Sequence, residues 1–152
     1  MILIAHRGNI DSVKPDKENT QDYIDEAIIF GYDVEIDVRL IDNKLYLGHD
    51  TPDHEVSMGW LLDRRHELWV HTKNFSALNL LIDTDLRTFY HQKEDHTIIN
   101  NCNLIWSHNL EEANSKSIIP LLDAADIFDF EKYNVYGICS DYVRLVEDSF
   151  NE

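Results

Sequence analysis

The chain alternates short apolar runs with segments of helical or polar pattern, as βα units do. Ile2 to Ala5 is an apolar run of the kind found in buried parallel strands, and it ends in His6. Asn19 or Thr20 then offers an N-cap for a helix with apolar residues at helical spacing, which ends at Gly31. The opening of the chain therefore predicts a strand, a loop and a helix.

Charged side chains share one face of the second predicted strand. Tyr32 to Leu40 alternates apolar and polar positions with a period of two, so its charged residues point to the same side. These residues are Glu35, Asp37 and Arg39. Asp42-Asn43 is predicted to form a turn, after which Lys44 to Gly48 forms a third strand that leads to His49.

The alternation of strands and helices continues to the end of the chain. Ser57 can cap a second helix, and Phe75 to Ile82 has the pattern of a third. Further strands are predicted at Leu68 to Thr72, Thr88 to Tyr90, Leu104 to Trp106, Ile118 to Leu122 and Val135 to Cys139. Repeated βα units joined by right-handed crossovers form a parallel sheet, which is either closed as a barrel or open.

Most of the polar side chains that could take part in chemistry lie toward the C-terminal ends of predicted strands. Barrel enzymes assemble their active sites at that face. Strand ends are also where a chain returns to water, so their position alone leaves both interpretations open. The residues concerned are His6, Glu35, Asp37, His71, Lys73, His91, His108 and Asp141.

The composition indicates one folded domain and narrows the choice of partners. With 43% hydrophobic and 11% aromatic residues, a chain of 152 residues can bury a core, so residues 1–152 are predicted to form a single domain. The formal charge of −16 argues against a nucleic acid or an anionic membrane surface as partner. A phosphate substrate stays possible, because a bound cation can invert the local field.

The N-terminus and the cysteines point to a cytoplasmic protein. The apolar stretch Met1 to Ala5 is too short for a signal-peptide core or a membrane span. Cys102 and Cys139 show neither CxxC spacing nor a disulfide framework, so two reduced thiols in the core are predicted. The residues give no indication of oligomeric state.

Glu35 and Asp37 are the first candidates for chemistry. Two carboxylates two residues apart on a strand point the same way and can share one hard cation. If the strand is buried, as its apolar face suggests, such a pair is costly without a cation; the alternative is an exposed edge strand. Glu18, in the preceding loop, is a candidate third ligand or, alternatively, a carboxylate at a helix start.

His6 and His49 flank this carboxylate pair in sequence, each at the end of a predicted strand. Two imidazoles near neutral pH can act as acid and base in a displacement at phosphorus, while a cation neutralises the non-bridging oxygens. Either histidine alone would more often be structural or exposed.

Four short motifs follow one another in the first 50 residues: His6-Arg7-Gly8, Glu18-Asn19-Thr20, Glu35-Ile36-Asp37 and His49-Asp50. Together they resemble the signature of the glycerophosphodiester phosphodiesterases, which are similar in turn to the sphingomyelinase D enzymes and the phosphatidylinositol phospholipase C barrels. Gly137 to Tyr142 also resembles the last strand of that family. The middle of the chain shows little likeness.

The resemblance implies a role for each of these residues. His6 and His49 would be the acid and base, and Arg7 would contact the phosphate. The implied ligands of a divalent cation, Mg²⁺ or Ca²⁺, are Glu18, Glu35 and Asp37. The attacking group would be water or a hydroxyl of the substrate.

Two features depart from the family pattern. The third strand of the family usually brings an acidic ligand two residues before a lysine, and here that stretch reads His71-Thr72-Lys73. Lys73 keeps a charge for the phosphoryl oxygens, whereas His71 would shift the metal preference toward Mn²⁺ or Zn²⁺, or would contact substrate instead.

The second departure is the length of the chain. An eightfold barrel takes about 250 residues, whereas this chain has 152. We therefore predict an α/β fold, a reduced TIM-like (β/α) barrel with about seven mainly parallel strands and short connections.

The predicted function is metal-dependent cleavage of a small phosphodiester, by hydrolysis or through a cyclic phosphate. His91, Gln92, Trp106 and His108 are candidates for the pocket wall, although Trp106 also suits a core and His108 an exposed position. The alternative is a barrel remnant that binds a phosphorylated ligand or a partner protein without turnover. His71 and the shortened chain favour this alternative, whereas the two signature histidines favour the enzyme.

Overall fold

The computed structural model describes residues 1–150 and contains ten β-strands and five α-helices in that range. The strands β1 to β10 are, in chain order, Ile2–His6, Asp33–Ile41, Lys44–Leu47, His54–Val56, Leu68–Thr72, Arg87–Phe89, His96–Ile99, Leu104–Ser107, Ser117–Pro120 and Gly137–Ser140. The helices α1 to α5 are Gln21–Ile29, Met58–Asp63, Phe75–Leu81, Ala124–Ile127 and Val143–Ser149, and a 3-10 turn covers Phe130–Lys132.

All ten strands belong to one sheet that curls into a half-barrel. Its main path runs β6-β5-β2-β1-β10-β9-β8-β7. The hairpin of β3 and β4 extends from the C-terminal half of β2. Neighbours along the main path pair in parallel, except for β7 and β8, which are antiparallel like the two pairs β2–β3 and β3–β4.

The predicted TIM-like barrel of mainly parallel strands is wrong: the sheet has ten strands, includes antiparallel pairs and is accompanied by only 24% helix. Within residues 1–150 no ladder joins β6 to β7, so the sheet stays open. The antiparallel pairing of β2 and β3 results from a connection that is too short for a crossover. Asp42 and Asn43 both have positive φ angles (48° and 61°), as in a two-residue hairpin turn, and β3 therefore runs antiparallel to β2. A parallel neighbour would need a crossover of about a dozen residues or more.

The strands and helices that the apolar pattern predicts are present, with their ends moved by one or two residues. Ser57 caps α2 as expected, because its side chain accepts a hydrogen bond from the Trp60 amide at 3.0 Å. Five elements of the structure were not predicted: β4, β7, α4, the 3-10 turn and α5. The pattern thus identified the central strands and missed two strands near the ends of the sheet and the short helices of the C-terminal part.

Alternate residues of the strands pack on opposite faces of the sheet. The side chains of β2 that join the core beneath the helices are Val34, Ile36 and Val38. The inner face carries a second cluster that includes Trp69, Phe89 and Trp106, and the last two rings stack with centroids 4.5 Å apart. Because Trp69 lies two residues before His71 on β5, this apolar cluster forms a floor below the polar strand ends.

None of the helices in residues 1–150 combines the length and the apolar character needed to cross a lipid bilayer. The longest, α1, has 9 residues, against the roughly 20 that a bilayer core requires. Cys102 and Cys139 are both free thiols, as predicted; Cys139 is buried in the core, whereas Cys102 is only half-buried against it.

Candidate active site

A cavity of about 350 Å³ opens at the C-terminal ends of the parallel strands. Most residues predicted for the site line it: His6, Arg7, Glu35, Asp37, His49, His71, Lys73, His91 and Trp106. Gln92 and His108 line it as well. Glu18 is the exception, because it lines a neighbouring cavity.

Strand register brings the central side chains together. His6 on β1 lies beside Glu35 on β2, and Asp37 on β2 lies beside His71 on β5. Adjacent strands are about 5 Å apart, so side chains in register on the same face come into contact. The period of two on β2 supplies the two carboxylates, and the two neighbouring strands each supply an imidazole.

Glu35, Asp37 and His71 form a buried group that could hold a metal ion. Their candidate ligand atoms all lie within 4.8 Å of one another. The Nδ1 atom of His71 is 3.3 Å from Oδ1 of Asp37 and 3.7 Å from Oε1 of Glu35. Oε2 of Glu35 and Oδ1 of Asp37 are buried without a hydrogen-bond donor. Buried carboxylate oxygens without donors are costly unless a cation contacts them, so the residues fit a metal.

The two carboxylates differ in their electrostatic surroundings. Burial and the nearby charge of Asp37 raise the pKa of Glu35. Burial also disfavours the charged form of Asp37, but contact with His71, the charge of Arg7 and hydrogen bonding from Asn19 outweigh it and lower the pKa of Asp37. Asp37 is therefore the ionised member of the pair, and a cation beside Glu35 would stabilise its charged form in the same way.

Arg7 links Glu18 to the carboxylate pair. Its Nη1 atom donates to Oε2 of Glu18 at 3.1 Å, and its Nε atom lies 3.2 Å from Oδ2 of Asp37. The other oxygen of Glu18 accepts from Nδ2 of Asn9 at 2.8 Å. Glu18 is thus occupied in holding Arg7, and the structure does not bring this predicted ligand into the group formed by Glu35, Asp37 and His71.

His6 is oriented by a residue from the far end of the chain. Its Nδ1 atom is 2.7 Å from Oδ1 of Asp141, and its Nε2 atom is 3.8 Å from Oε2 of Glu35. Burial alone would lower the pKa of His6, but the hydrogen bond with Asp141 and the charge of Glu35 outweigh burial and raise it. Asp141 stood at a predicted strand end without an assigned role; the pairing of β1 with β10 is what brings it to His6.

His49 enters the cavity from the loop after β3. Arg39 holds this loop, because its guanidinium donates to the carbonyl oxygens of Gly48 (3.1 Å) and of His49. The imidazole Nδ1 atom is 2.7 Å from Oδ1 of Asp50, and the side chain is 40% exposed. Burial, together with the charges of Arg7 and Lys73, outweighs the charge of Asp37 and lowers the pKa of His49.

Aromatic and imidazole rings form the opposite wall of the cavity. His91 and His108 stack with centroids 4.0 Å apart, and Nε1 of Trp106 donates to Nε2 of His108 at 3.2 Å. Burial and the nearby charges of His91 and His71 lower the pKa of His108 to about 4. Near neutral pH the His108 ring is therefore uncharged, and the N–H group of Trp106 is occupied by it.

A second histidine cluster has the composition of a hydrolase triad but not its accessibility. The two ring nitrogens of His96 contact Oγ of Ser107 at 2.8 Å and Oε2 of Glu112 at 2.6 Å. Ser107 is completely buried and also donates to the Asn109 carbonyl at 3.1 Å. A nucleophile must be reached by its substrate, so we interpret this cluster as a structural link between β7, β8 and the following loop.

Comparisons of the chain with protein-family models, with curated proteins and with solved structures found no match. The family resemblance therefore stays a prediction from the sequence motifs. What the structure adds is the geometry of those motifs, which lie together around one cavity.

Proposed function

We propose that the chain is a metal-dependent phosphodiesterase that hydrolyses a small phosphodiester of the glycerophosphodiester type, with His6 and His49 as its acid and base. The observation that carries this proposal is the arrangement around one cavity. Both imidazoles line the space that also contains the buried Glu35, Asp37 and His71 group. A phosphorus atom in that space would have two proton-transfer groups and a cation site within reach.

The residues of the chain have separate tasks in this reaction. A divalent cation bound at Glu35, Asp37 and His71 would supply positive charge for the non-bridging oxygens. Arg7 and Lys73 line the same cavity and add fixed positive charge, and Nζ of Lys73 is 3.8 Å from Oδ1 of Asp37. Charged donors that are already in place stabilise a developing anionic centre without reorganisation.

The proton transfers balance with two imidazoles. The oxygen of a water molecule forms a bond to phosphorus, and one histidine takes its proton. The bond from phosphorus to the leaving oxygen breaks, and that oxygen receives a proton from the other histidine. The products are a phosphomonoester and an alcohol. If a hydroxyl of the substrate attacks instead, the same transfers give a cyclic phosphate.

Binding without turnover is the second candidate function. One observation favours it: the position where the family that the motifs resemble usually carries an acidic ligand is His71 in this chain. A phosphorylated ligand would then contact Arg7 and Lys73 without being cleaved, or the cavity would bind a partner protein. Activity measurements separate the two functions.

The test compares three histidine variants in hydrolysis of bis(p-nitrophenyl) phosphate and of glycerophosphodiesters with added divalent cations. His6→Ala and His49→Ala are each expected to lower kcat by about 10²–10⁴, the usual contribution of acid–base catalysis. His54→Ala is the matched control, because His54 is exposed on β4 and does not line the cavity. Wild-type turnover in both cavity variants would remove the acid–base assignment, and absence of turnover in the wild type on all substrates would favour the binding function.

A further inference from the structure

The ring of His71 has a fixed orientation. Its Nε2 atom is 3.0 Å from the carbonyl oxygen of His91. A carbonyl oxygen only accepts hydrogen bonds, so Nε2 carries a hydrogen and Nδ1 is the atom that turns toward Glu35 and Asp37. The ring also stacks on Phe89, with centroids 5.0 Å apart and planes 12° from parallel.

The loop that supplies this carbonyl is itself held by hydrogen bonds. The carboxylate of Glu94 accepts from the amides of Gln92 and Lys93 at 2.7 and 3.0 Å. Nε2 of His91 lies 2.7 Å from the Glu94 carbonyl oxygen. The His91 carbonyl is therefore placed by its own loop. Partners of this kind fix the tautomer and the direction of metal-binding histidines.

The number of oxygen atoms left for a cation is small. Oδ2 of Asp37 is used by Arg7 at 3.2 Å and by Asn19 at 2.9 Å. Both oxygens of Glu18 are also occupied. The atoms that remain for a metal in this group are the two oxygens of Glu35, Oδ1 of Asp37 and Nδ1 of His71.

This set of atoms suits some cations better than others. Ca²⁺ takes six to eight oxygen ligands, and Mg²⁺ is also bound almost entirely through oxygen. Imidazole nitrogen combined with carboxylates suits divalent transition metals, whose affinity for such sites rises from Mn²⁺ to a maximum at Cu²⁺ and falls again at Zn²⁺. A neutral nitrogen in place of a third carboxylate also lowers the negative charge that attracts Ca²⁺ and Mg²⁺.

We propose that this site selects Mn²⁺ or Zn²⁺ over Mg²⁺ and Ca²⁺, and that Nδ1 of His71, held by the His91 carbonyl, is the ligand that makes the selection. The inference rests on the metal site of the proposed function. It does not depend on whether the chain cleaves a phosphodiester. The direction of the His71 ring and the scarcity of free oxygen atoms carry it together.

The first test measures metal binding directly. Isothermal titration of chelator-treated protein with MnCl₂, ZnCl₂, MgCl₂ and CaCl₂ is expected to give Kd values about tenfold or more lower for Mn²⁺ and Zn²⁺. His71→Asp restores a third carboxylate and is expected to move the preference toward Mg²⁺ and Ca²⁺. His54→Ala is the matched control, because His54 is an exposed histidine outside the cavity and its removal is expected to keep the wild-type preference. Titration of Glu35→Gln measures the metal that binds at other histidines of the chain, and this background is subtracted from the wild-type titration.

The second test detects the nitrogen ligand. Pulsed electron paramagnetic resonance of the Mn²⁺-loaded protein is expected to show coupling to an imidazole ¹⁴N nucleus in the wild type and in His54→Ala. The coupling is expected to disappear in His71→Asp, whose folding is checked by circular dichroism. If that variant does not fold, the wild-type Kd values still decide whether the site selects Mn²⁺ and Zn²⁺.

Each outcome supports or overturns the inference. Equal or tighter binding of Mg²⁺ or Ca²⁺ by the wild type, or a ¹⁴N coupling that persists in folded His71→Asp, would overturn it. Failure of the wild type to bind any of these metals would overturn the metal site itself. Transition-metal binding through nitrogen without phosphodiester cleavage would uphold the selection and contradict only the proposed function.

Discussion

Asp141 shows how a side chain behind the reacting groups can control one of them. It accepts from Nδ2 of Asn9 at 2.7 Å while it contacts Nδ1 of His6. The hydrogen bond from Asn9 holds the carboxylate in place, and the carboxylate in turn fixes the direction of the His6 imidazole. The position of Asp141 resembles that of the orienting acid in other proteins where a histidine transfers protons.

The Asp141→Asn variant separates orientation from charge. The amide removes the negative charge that opposes burial, so we expect a lower pKa for His6, measured by NMR titration of its imidazole. We expect kcat to fall by roughly tenfold to a hundredfold, which is part of what acid–base catalysis contributes. Asp50→Asn is the control variant. The ion pair of Asp50 with His49 is exposed to water and contributes little free energy. An unchanged His6 titration in Asp141→Asn would contradict this role.

Residues with a local spacing signal could be predicted, and residues placed by distant contacts could not. Glu35 and Asp37 are two apart on one strand, which is enough to put them on the same face. The direction of the His71 ring depends on a carbonyl 20 residues later, and the role of Asp141 depends on a contact across 135 residues. No pattern in a single sequence carries that information.

At the scale of elements, the loop after β3 depends on Gly48. This residue has a φ angle of +148°, which side chains rarely tolerate. A Cβ atom at this position would lie 2.0 Å from the carbonyl oxygen of Thr51, which is a backbone atom and cannot rotate away. The loop that carries His49 therefore requires glycine here.

We expect Gly48→Ala to destabilise the protein by about 1–3 kcal/mol, the range for a strained backbone position. It is also expected to displace His49, so kcat should fall in the fraction that stays folded. Chemical denaturation measures the first effect and steady-state kinetics the second. Gly31→Ala is the control: its φ angle of +95° is also strained, but a Cβ atom there meets nothing within 4 Å and lies far from His49 in sequence. Equal kinetic losses in both variants would contradict the local role of Gly48.

Strands with an apolar pattern of their own were predictable, whereas a strand without one was not. β7 has Ile98 exposed and polar residues at its start, so its sequence lacks the alternation of a half-buried strand. It is a strand because it pairs with β8. The turn at Asp42-Asn43 is predicted from the sequence, and a two-residue hairpin turn makes the strands on either side of it antiparallel, in contrast to the predicted barrel of mainly parallel strands.

For the whole molecule, the charged carboxylate of Glu35 is unfavourable when no cation is bound. Its Oε2 atom is buried without a hydrogen-bond donor, and burial beside Asp37 raises its pKa. We expect Glu35→Gln to stabilise the metal-free protein by about 1–3 kcal/mol, the usual cost of a buried group without a partner. We also expect it to abolish the rise in Tm on adding Mn²⁺, since only a ligand that binds the native state raises Tm.

Thermal unfolding after chelation, with and without added metal, measures both effects. Glu131→Gln is the matched control, because Glu131 is exposed in the 3-10 turn and is expected to leave both quantities unchanged. A Tm of the wild-type protein that is indifferent to every divalent cation tested would count against the metal site.

The pairing of β1 with β10 has a consequence for how the protein acquires its site. Contacts between residues so distant in the chain form slowly, because a large loop must close before they stabilise anything. During synthesis, the carboxylate that orients the first strand's imidazole leaves the ribosome only after all ten strands. Competence for proton transfer should therefore be among the last properties to appear on refolding, later than the collapse of the helix-covered core.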